Sequence, residues 1–95
     1  IGGLGLLPSS NMGTEYAMFE AVHGSAPDIA GKHVANPTAL LWSACMMLEH
    51  LQEAECAAKI RKAVNAVLME KKHLTPDLHG NSTTEAYRDA VIAKL

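Results

Sequence analysis

The sequence has little positive charge to offer a nucleic acid: 8 Lys and Arg residues stand against 10 Asp and Glu residues, and the formal net charge is −2. Its longest basic stretch is the pair Lys71-Lys72. Domains that bind nucleic acids carry clustered positive charge that neutralises phosphates. The sequence therefore predicts no nucleic-acid partner.

Long apolar runs are also missing. No stretch reaches the roughly 18 to 20 apolar residues that cross a bilayer. No basic segment followed by an apolar one opens the chain, so a signal peptide is not predicted either. We expect no membrane partner, and a location in the cytoplasm or the mitochondrial matrix.

Cysteine is scarce as well, with Cys45 and Cys56 as the whole set. The two lie in Ala-rich surroundings, without the CxxC or Cys-His spacing that is typical of metal sites. We predict two reduced thiols in the core, rather than a disulfide or a metal site. The histidines outside residues 23–32 show no ligand spacing, so no metal site is predicted in this chain.

What the sequence does contain is the composition of a folded domain. Of its 95 residues, 48% are hydrophobic and 19% are charged, close to globular averages. This length allows one small domain at most. Because the chain opens on Ile1, within an apolar and Gly-interrupted segment typical of a buried strand, we expect a piece of a longer polypeptide.

Hydrophobic patterning predicts two short strands near the start of the chain. The first covers Leu4 to Leu7 and is closed by Pro8, and a turn follows at Asn11 to Gly13. The second covers Tyr16 to Val22, which includes aromatic and β-branched residues. A loop from His23 to Asn36 then leads to the helices.

Three helices are predicted in the rest of the chain. Asn36 caps the first, which has a proline at its first position, runs to about Leu51 and is so apolar that it must be covered on most sides. The second is amphipathic and runs from about Glu53 to Lys71. The third opens at Ser82 or Thr83. Its buried side is predicted to consist of Tyr87, Val91 and Leu95.

The loop after the second strand is the candidate ligand site, because α/β proteins place ligands at the carboxyl ends of strands. Gly24 would let a ligand lie against the backbone, and Pro27 would stiffen the turn. Asp28 would accept hydrogen bonds from a ribose diol and repel a 2′-phosphate, which favours NAD over NADP. On spacing alone the signal is weak, and a structural turn in which Asp28 only caps the backbone is the favoured interpretation.

Five longer strings of the sequence are informative together: Phe19 to Lys32, Ala35 to Ala39, Met46 to His50, Gly2 to Ser9 and Leu74 to Leu78. They resemble the C-terminal part of the β-decarboxylating dehydrogenases, the family of isocitrate, 3-isopropylmalate, homoisocitrate and tartrate dehydrogenases. The resemblance covers essentially the whole chain. It implies an α/β fold in which residues 1–95 form the C-terminal part of the large domain of the isocitrate/isopropylmalate dehydrogenase fold.

The same resemblance implies that the loop binds the adenosine half of NAD. His23 and Ile29 would pack on the adenine, Asp28 would hold the ribose hydroxyls, and Asn36 would meet the adenine. The full set of cofactor residues that it implies is His23, Gly24, Ser25, Ala26, Asp28, Ile29, Asn36 and Asp77.

Two departures from the NADP-using relatives also favour NAD as the cofactor. Those relatives have a Lys-Tyr pair where this chain has Asp28-Ile29, and a Tyr and an Arg near Pro76 and Gly80. Both departures remove partners for a 2′-phosphate, so the resemblance implies NAD. His79 is a different departure, since relatives usually have Gly there, and it affects the geometry of the loop that carries Asp77.

The resemblance places the family's catalytic residues, and its ligands for Mg²⁺ or Mn²⁺, upstream of this segment, so none is predicted within it. The intact protein is expected to oxidise and decarboxylate a small 2-hydroxy acid. Isocitrate, converted to 2-oxoglutarate as in the tricarboxylic acid cycle, is the first choice. Isopropylmalate and homoisocitrate remain alternatives, because the loop contacts the cofactor and not the substrate.

Two rival classes remain. One is a non-catalytic regulatory subunit of a hetero-oligomeric isocitrate dehydrogenase, and the other is a free-standing nucleotide-binding module. Regulatory subunits typically lose the string from His23 to Ile29, which this sequence keeps. A free module would expose the apolar first helix. The catalytic interpretation is therefore preferred, within a homo-oligomer or a hetero-oligomer.

Overall fold

The computed structural model describes residues 6–22 and 26–95. In these residues a two-stranded antiparallel sheet is followed by three helices. The elements are β1 (Pro8–Met12), β2 (Ala17–Ala21), α1 (Thr38–His50), α2 (Ala54–Glu70) and α3 (Thr84–Ala93). Short 3-10 turns form at Pro27–Ile29 and Pro76–Leu78. The predicted order of two short strands and three helices is confirmed.

The first strand lies later in the chain than the sequence predicted. Of the predicted strand Leu4–Leu7, only residues 6 and 7 are among those described, and they are not in a strand. β1 begins at Pro8 and pairs with β2 along its whole length. Its Ser and Asn residues become extended because β2 supplies their hydrogen-bond partners, and a proline is tolerated as the first residue of a strand. The chain reverses only at Gly13, whose N–H donates to the Tyr16 carbonyl at 2.7 Å.

The other predicted boundaries hold to within one or two residues. Thr38, rather than Pro37, is the first residue of α1. Proline has no N–H, so the first amide that needs a partner is that of Thr38, and it donates to Asn36 Oδ1 at 3.0 Å. Thr83 caps α3 as expected, with its hydroxyl oxygen accepting the Ala86 N–H at 3.0 Å.

The core forms where α2 packs against both α1 and α3. It is built from the apolar stripe of α2 and the inner side of α3. Its buried members are Ala63, Val64, Val67, Tyr87 and Val91. Within the described residues, no helix is long and apolar enough to cross a bilayer.

Two predicted core residues lie at the surface instead. Leu95 is 65% exposed, because α3 ends at Ala93 and the following residues leave its helical face. Cys45 is buried as predicted, but Cys56 is exposed. Cys56 precedes the buried Ala57 and so lies beside the stripe of α2 that packs on α1.

Trp42 has a packing role. It lies against the core, and the Arg61 guanidinium is 5.6 Å from the centroid of its ring. Arg61 also donates two hydrogen bonds to the Glu49 carboxylate, at 3.0 and 3.1 Å, and these lower the pKa of that carboxyl. The guanidinium thereby joins α1 to α2 at their outer edge.

One side of α1 has no cover among the described residues. Leu40, Met47 and Leu51 share this side, because they are spaced by seven and four positions, and they are 61%, 40% and 60% exposed. We call it the open face of α1. At its carboxyl end it borders a groove of about 400 Å³ between the helix and the strand hairpin, lined in part by Tyr16 and Phe19. None of the described residues of the predicted cofactor loop lines this groove.

Candidate functional site

The loop that follows β2 carries most of the predicted cofactor residues. Three of them lie outside the described residues: His23, Gly24 and Ser25. Ala26 is exposed and has a left-handed backbone, with φ of 41°. It begins the 3-10 turn Pro27–Ile29, in which the Ile29 N–H donates to the Ala26 carbonyl at 3.1 Å. The turn is therefore closed by backbone groups.

Asp28 lies in that turn with its side chain exposed. Within residues 6–22 and 26–95, no hydrogen bond occupies its carboxylate. The backbone of the described residues thus does not use Asp28 as a turn cap. Binding of ribose hydroxyls by Asp28 stays a prediction.

Asn36 and Asp77 are 41 positions apart in the sequence, and the fold brings them into direct contact. Asn36 Nδ2 donates to Asp77 Oδ2 at 2.9 Å. The Asp77 carboxylate also accepts from the Thr75 hydroxyl, at 2.5 Å to Oδ1. Two segments that the sequence assigned to one cofactor site therefore meet.

The chemistry of its neighbours fixes which way the Asn36 amide faces. Asp77 is an acceptor when ionised, so it requires the amide nitrogen on its side. The N–H of Thr38 can only donate, so it requires the amide oxygen, which also accepts from the Thr38 hydroxyl at 2.5 Å. Both sides of the amide are thus specified by hydrogen bonding.

A buried tyrosine completes this arrangement from α3. Tyr87 is fully buried, and its hydroxyl lies 2.6 Å from the Thr38 hydroxyl. Burial raises the pKa of the Tyr87 phenol, so it stays protonated at neutral pH. Because the Thr38 proton is directed to Asn36, the Tyr87 hydroxyl is the donor of their shared bond.

The turn that presents Asp77 has a strained backbone at one position and a crowded one at the next. His79 has φ of 66°, a left-handed conformation that glycine adopts without strain. This conformation gives a physical reason for the glycine that the resemblance places there. At Gly80, a Cβ atom would lie only 2.0 Å from the Leu74 carbonyl oxygen. The turn therefore requires glycine at position 80.

The start of α3 holds the chain just before Asn36. The Thr84 N–H donates to the His33 carbonyl at 2.8 Å, and its hydroxyl donates to the Ala35 carbonyl at 2.6 Å. His33 Nδ1 donates to Glu85 Oε1 at 2.9 Å. These three contacts fix the end of the cofactor loop on the first turn of α3.

The sequence interpretation assigned no site role to Thr38, Thr75, Tyr87 or Thr84. One signal was present for Tyr87, since a tyrosine on the buried side of a helix needs a partner for its hydroxyl. The partner itself lies 49 positions earlier, on another helix. A periodic pattern describes one helix at a time, so it does not predict a hydrogen bond between side chains on two helices. This pairing is visible only in the folded structure.

The contact between Glu85 on α3 and His33 in the loop should stabilise the fold less at acid pH. The pKa of Glu85 is lowered, first by its own backbone N–H and then by His33. A carboxyl whose pKa is lower in the folded state stabilises the fold above its unfolded pKa of about 4.3, and this contribution is lost as pH falls through the folded value. In the intact subunit, Glu85→Gln should therefore flatten the decline of the unfolding temperature below about pH 4.5.

Thermal unfolding between about pH 3 and 7 measures this effect. Glu53→Gln is the matched control, because it removes an exposed carboxylate that has no ion-pair partner in the part of the chain that the structure describes. An acid profile of Glu85→Gln that coincides with the unsubstituted one would contradict the assignment.

Among residues 6–22 and 26–95, no group of three His, Cys, Asp or Glu side chains is arranged to hold a metal ion. The polar cluster around Asn36 instead offers neutral hydroxyls, an amide and one carboxylate. Thr38, Thr75 and Tyr87 are buried, so of this cluster Asn36 and Asp77 are left to meet a polar organic ligand.

Comparison with known proteins now places the chain. The family model of isocitrate/isopropylmalate dehydrogenase matches residues 1–91. The chain belongs to this family. Like the solved members that it matches, it combines the strand pair and three helices in an α/β arrangement.

Relatives within the isocitrate/isopropylmalate dehydrogenase family are closely similar to the chain. It is 58% identical over its whole length to the isocitrate/homoisocitrate dehydrogenase of Thermus thermophilus, of which it spans 28%. The crystal structure of isocitrate dehydrogenase from Methylococcus capsulatus superposes with a TM-score of 0.91 at 46% identity, over 98% of this chain and 28% of that one. The chain thus spans about a quarter of the length of these relatives.

Catalytic and regulatory subunits in the family resemble the chain equally. It is 54% identical over its whole length to NAD isocitrate dehydrogenase catalytic subunit 5 of Arabidopsis thaliana, covering 26% of it. It is also 54% identical, again over its whole length, to a mitochondrial regulatory subunit of NAD isocitrate dehydrogenase from Dictyostelium discoideum, covering 27% of it. Identity within this segment therefore does not separate the two classes.

Proposed function

We propose that the intact protein is an NAD-dependent isocitrate dehydrogenase, and that residues 1–95 are the C-terminal part of one larger dehydrogenase domain. In this proposal the segment binds the adenosine half of the cofactor. The observation that carries it is the hydrogen bond between Asn36 and Asp77. This bond joins the two separate segments in which the cofactor residues were expected.

The residues present fit the nucleotide. The exposed Asp28 carboxylate would accept hydrogen bonds from the ribose diol, and Ala26 and Ile29 would flank it. Asn36 would meet the adenine, held in place by Asp77. His23, Gly24 and Ser25 would complete the loop. When bound, NAD accepts the hydride, while Mg²⁺ or Mn²⁺ held by residues outside this chain would assist decarboxylation.

Isocitrate is the proposed substrate, with 2-oxoglutarate and CO₂ as products. Support comes from relatives whose names specify isocitrate, together with the resemblance of the strings at Gly2 to Ser9 and Leu74 to Leu78. Homoisocitrate and 3-isopropylmalate are the other acids to be compared. Mitochondrial subunits among the relatives support an oligomer, with a mitochondrial or cytoplasmic location.

Cofactor choice gives a direct test. With the intact protein we expect kcat/KM to be higher for NAD than for NADP, because Asp28 binds a free ribose diol and repels a 2′-phosphate. Asp28→Lys should lower kcat/KM with NAD by roughly tenfold or more, the scale of hydrogen bonds to a charged group. It should also narrow the preference over NADP.

Asp28→Asn is the matched control, because it keeps the size and one acceptor oxygen while removing the charge. It should weaken NAD use less than Asp28→Lys does. Steady-state kinetics with both cofactors measures these changes. A higher kcat/KM with NADP in the unsubstituted protein, or an unchanged preference in Asp28→Lys, would show that the proposal is wrong.

A second candidate function is that of a regulatory subunit, which is supported by the similarity to the Dictyostelium relative. Assaying isocitrate oxidation by the intact protein alone separates the two candidates. Turnover by the protein alone supports the catalytic function. Activity that appears only when a separate catalytic subunit is added, and then responds to effectors, supports the regulatory one.

A further inference from the structure

We propose that Tyr87 and Thr38 are positioning residues, which orient the Asn36 amide for recognition of the adenine ring. This inference rests on the proposed function, since it assumes that the loop binds NAD. Neither residue is proposed to touch the cofactor. Their effect passes through hydrogen bonds to Asn36.

Hydrogen bonds run in one direction through the cluster. The Tyr87 hydroxyl donates to Thr38 Oγ1, which donates to Asn36 Oδ1. Asn36 Nδ2 then donates to Asp77, which also accepts from Thr75. A hydroxyl group that accepts a hydrogen bond becomes a stronger donor to the next group in the series. The series ends on the Asp77 carboxylate, which accepts from Asn36. The cluster therefore favours one orientation of the amide.

Counting hydrogen-bond capacity shows what Asn36 has left for a ligand. Its Oδ1 atom already accepts two bonds, from the N–H and the hydroxyl of Thr38. Its Nδ2 atom has two hydrogens and gives one to Asp77. Within residues 6–22 and 26–95, one N–H of the side chain is therefore left without a partner. That donor complements an acceptor such as N1 of adenine, and it does not complement the N1–H of hypoxanthine.

The third helix acts on both sides of Asn36. Thr84 and Tyr87 are three positions apart, so they share one face of α3. Thr84 holds the Ala35 carbonyl on one side, and Tyr87 holds the Thr38 hydroxyl on the other. Asn36 thus lies in a segment whose two ends are fixed on a single rigid element. This geometry distinguishes positioning from general core packing.

The test uses the intact enzyme with saturating substrate acid, NAD, and the hypoxanthine analogue of NAD. Tyr87→Phe removes the buried hydroxyl and keeps the ring, while Thr38→Val removes the second hydroxyl and keeps the shape. Thr38→Ser is the rescue variant, because it retains the hydroxyl. Tyr16→Phe is the control for the same chemical change at an exposed site, where the tyrosine is 83% exposed.

We expect Tyr87→Phe and Thr38→Val to raise the KM for NAD by roughly fivefold to tenfold, the effect of losing one hydrogen bond of ordinary strength. The value of kcat should change by less than about twofold. Preference for NAD over the hypoxanthine analogue should fall in both variants. Thr38→Ser and Tyr16→Phe should behave like the unsubstituted enzyme.

Three results would overturn the inference while leaving the proposed function intact. These are an unchanged cofactor preference in both hydroxyl-deletion variants, an equal loss of kcat and kcat/KM, and a Thr38→Ser variant that behaves like Thr38→Val. If Tyr87→Phe does not fold, the comparison of Thr38→Val with Thr38→Ser tests the inference on its own. If the unsubstituted protein uses no NAD with any of the three acids, the proposed function is wrong and this inference falls with it.

Discussion

Replacing Gly80 by Ala should destabilise the intact subunit by about 3 kcal/mol, at the upper end of the usual cost of overpacking. A Cβ atom at this position would lie 2.0 Å from the carbonyl oxygen of Leu74 and 2.5 Å from its carbon. These are backbone atoms, so no side-chain rotation relieves the clash. The Leu74 carbonyl is also held by the Ser82 N–H at 2.9 Å. Displacing it would break that bond.

Gly31→Ala is the matched control for this prediction. Gly31 has φ of 80°, but nothing lies within 4 Å of the position that a Cβ would take. Its replacement should therefore cost only the strain of a left-handed backbone, about 1 to 2 kcal/mol. Chemical denaturation of both variants measures the difference. A Gly80→Ala variant no less stable than Gly31→Ala would contradict the crowding argument.

The same crowding bears on cofactor specificity. The resemblance places an Arg near Gly80 in relatives that use NADP. In this chain an Arg there would meet the Leu74 backbone before its guanidinium could reach a 2′-phosphate. Asp28→Lys should therefore only narrow the preference for NAD, and a full reversal toward NADP would require a different backbone path for residues 74–82. In the proposed NAD site, the turn that presents Asp77 would therefore contribute to cofactor specificity.

Local sequence signals predicted the helices well because each carries its own periodicity and capping residues. The amphipathic stripe of α2 and the Thr83 cap of α3 are formed by neighbouring residues. The first strand was misplaced for the opposite reason. Ser9 and Ser10 have no strong preference for a strand, and pairing with β2 decides their conformation.

For the candidate site, the sequence likewise indicated residues but not the tertiary contacts between them. The resemblance named Asn36 and Asp77 as cofactor residues, but their contact depends on how the Pro76–Leu78 turn returns to the start of α1. Tyr87 was predicted to be buried, and that is confirmed. Its role toward Thr38 depends on the relative placement of α3 and α1. Such contacts follow from tertiary packing, which no local pattern specifies.

In isolation, the 95-residue chain is expected to be marginally stable or to self-associate. On the open face of α1, Leu40, Met47 and Leu51 are 61%, 40% and 60% exposed. On the neighbouring hairpin, Tyr16 and Met18 are 83% and 59% exposed. Full burial of one large apolar side chain contributes about 1.5 to 3 kcal/mol. Contact between two such surfaces would recover part of that free energy.

Sedimentation velocity and thermal unfolding of the 95-residue chain test this expectation. Replacing Leu40 and Met47 together by Gln should lower self-association, because both side chains point away from the core that stabilises the fold. Asn65→Ser is the control, since it changes an exposed polar residue on α2. A monomeric chain that melts cooperatively above about 65 °C, the upper end of the usual mesophile range, would show that the described residues stabilise each other without covering the open face.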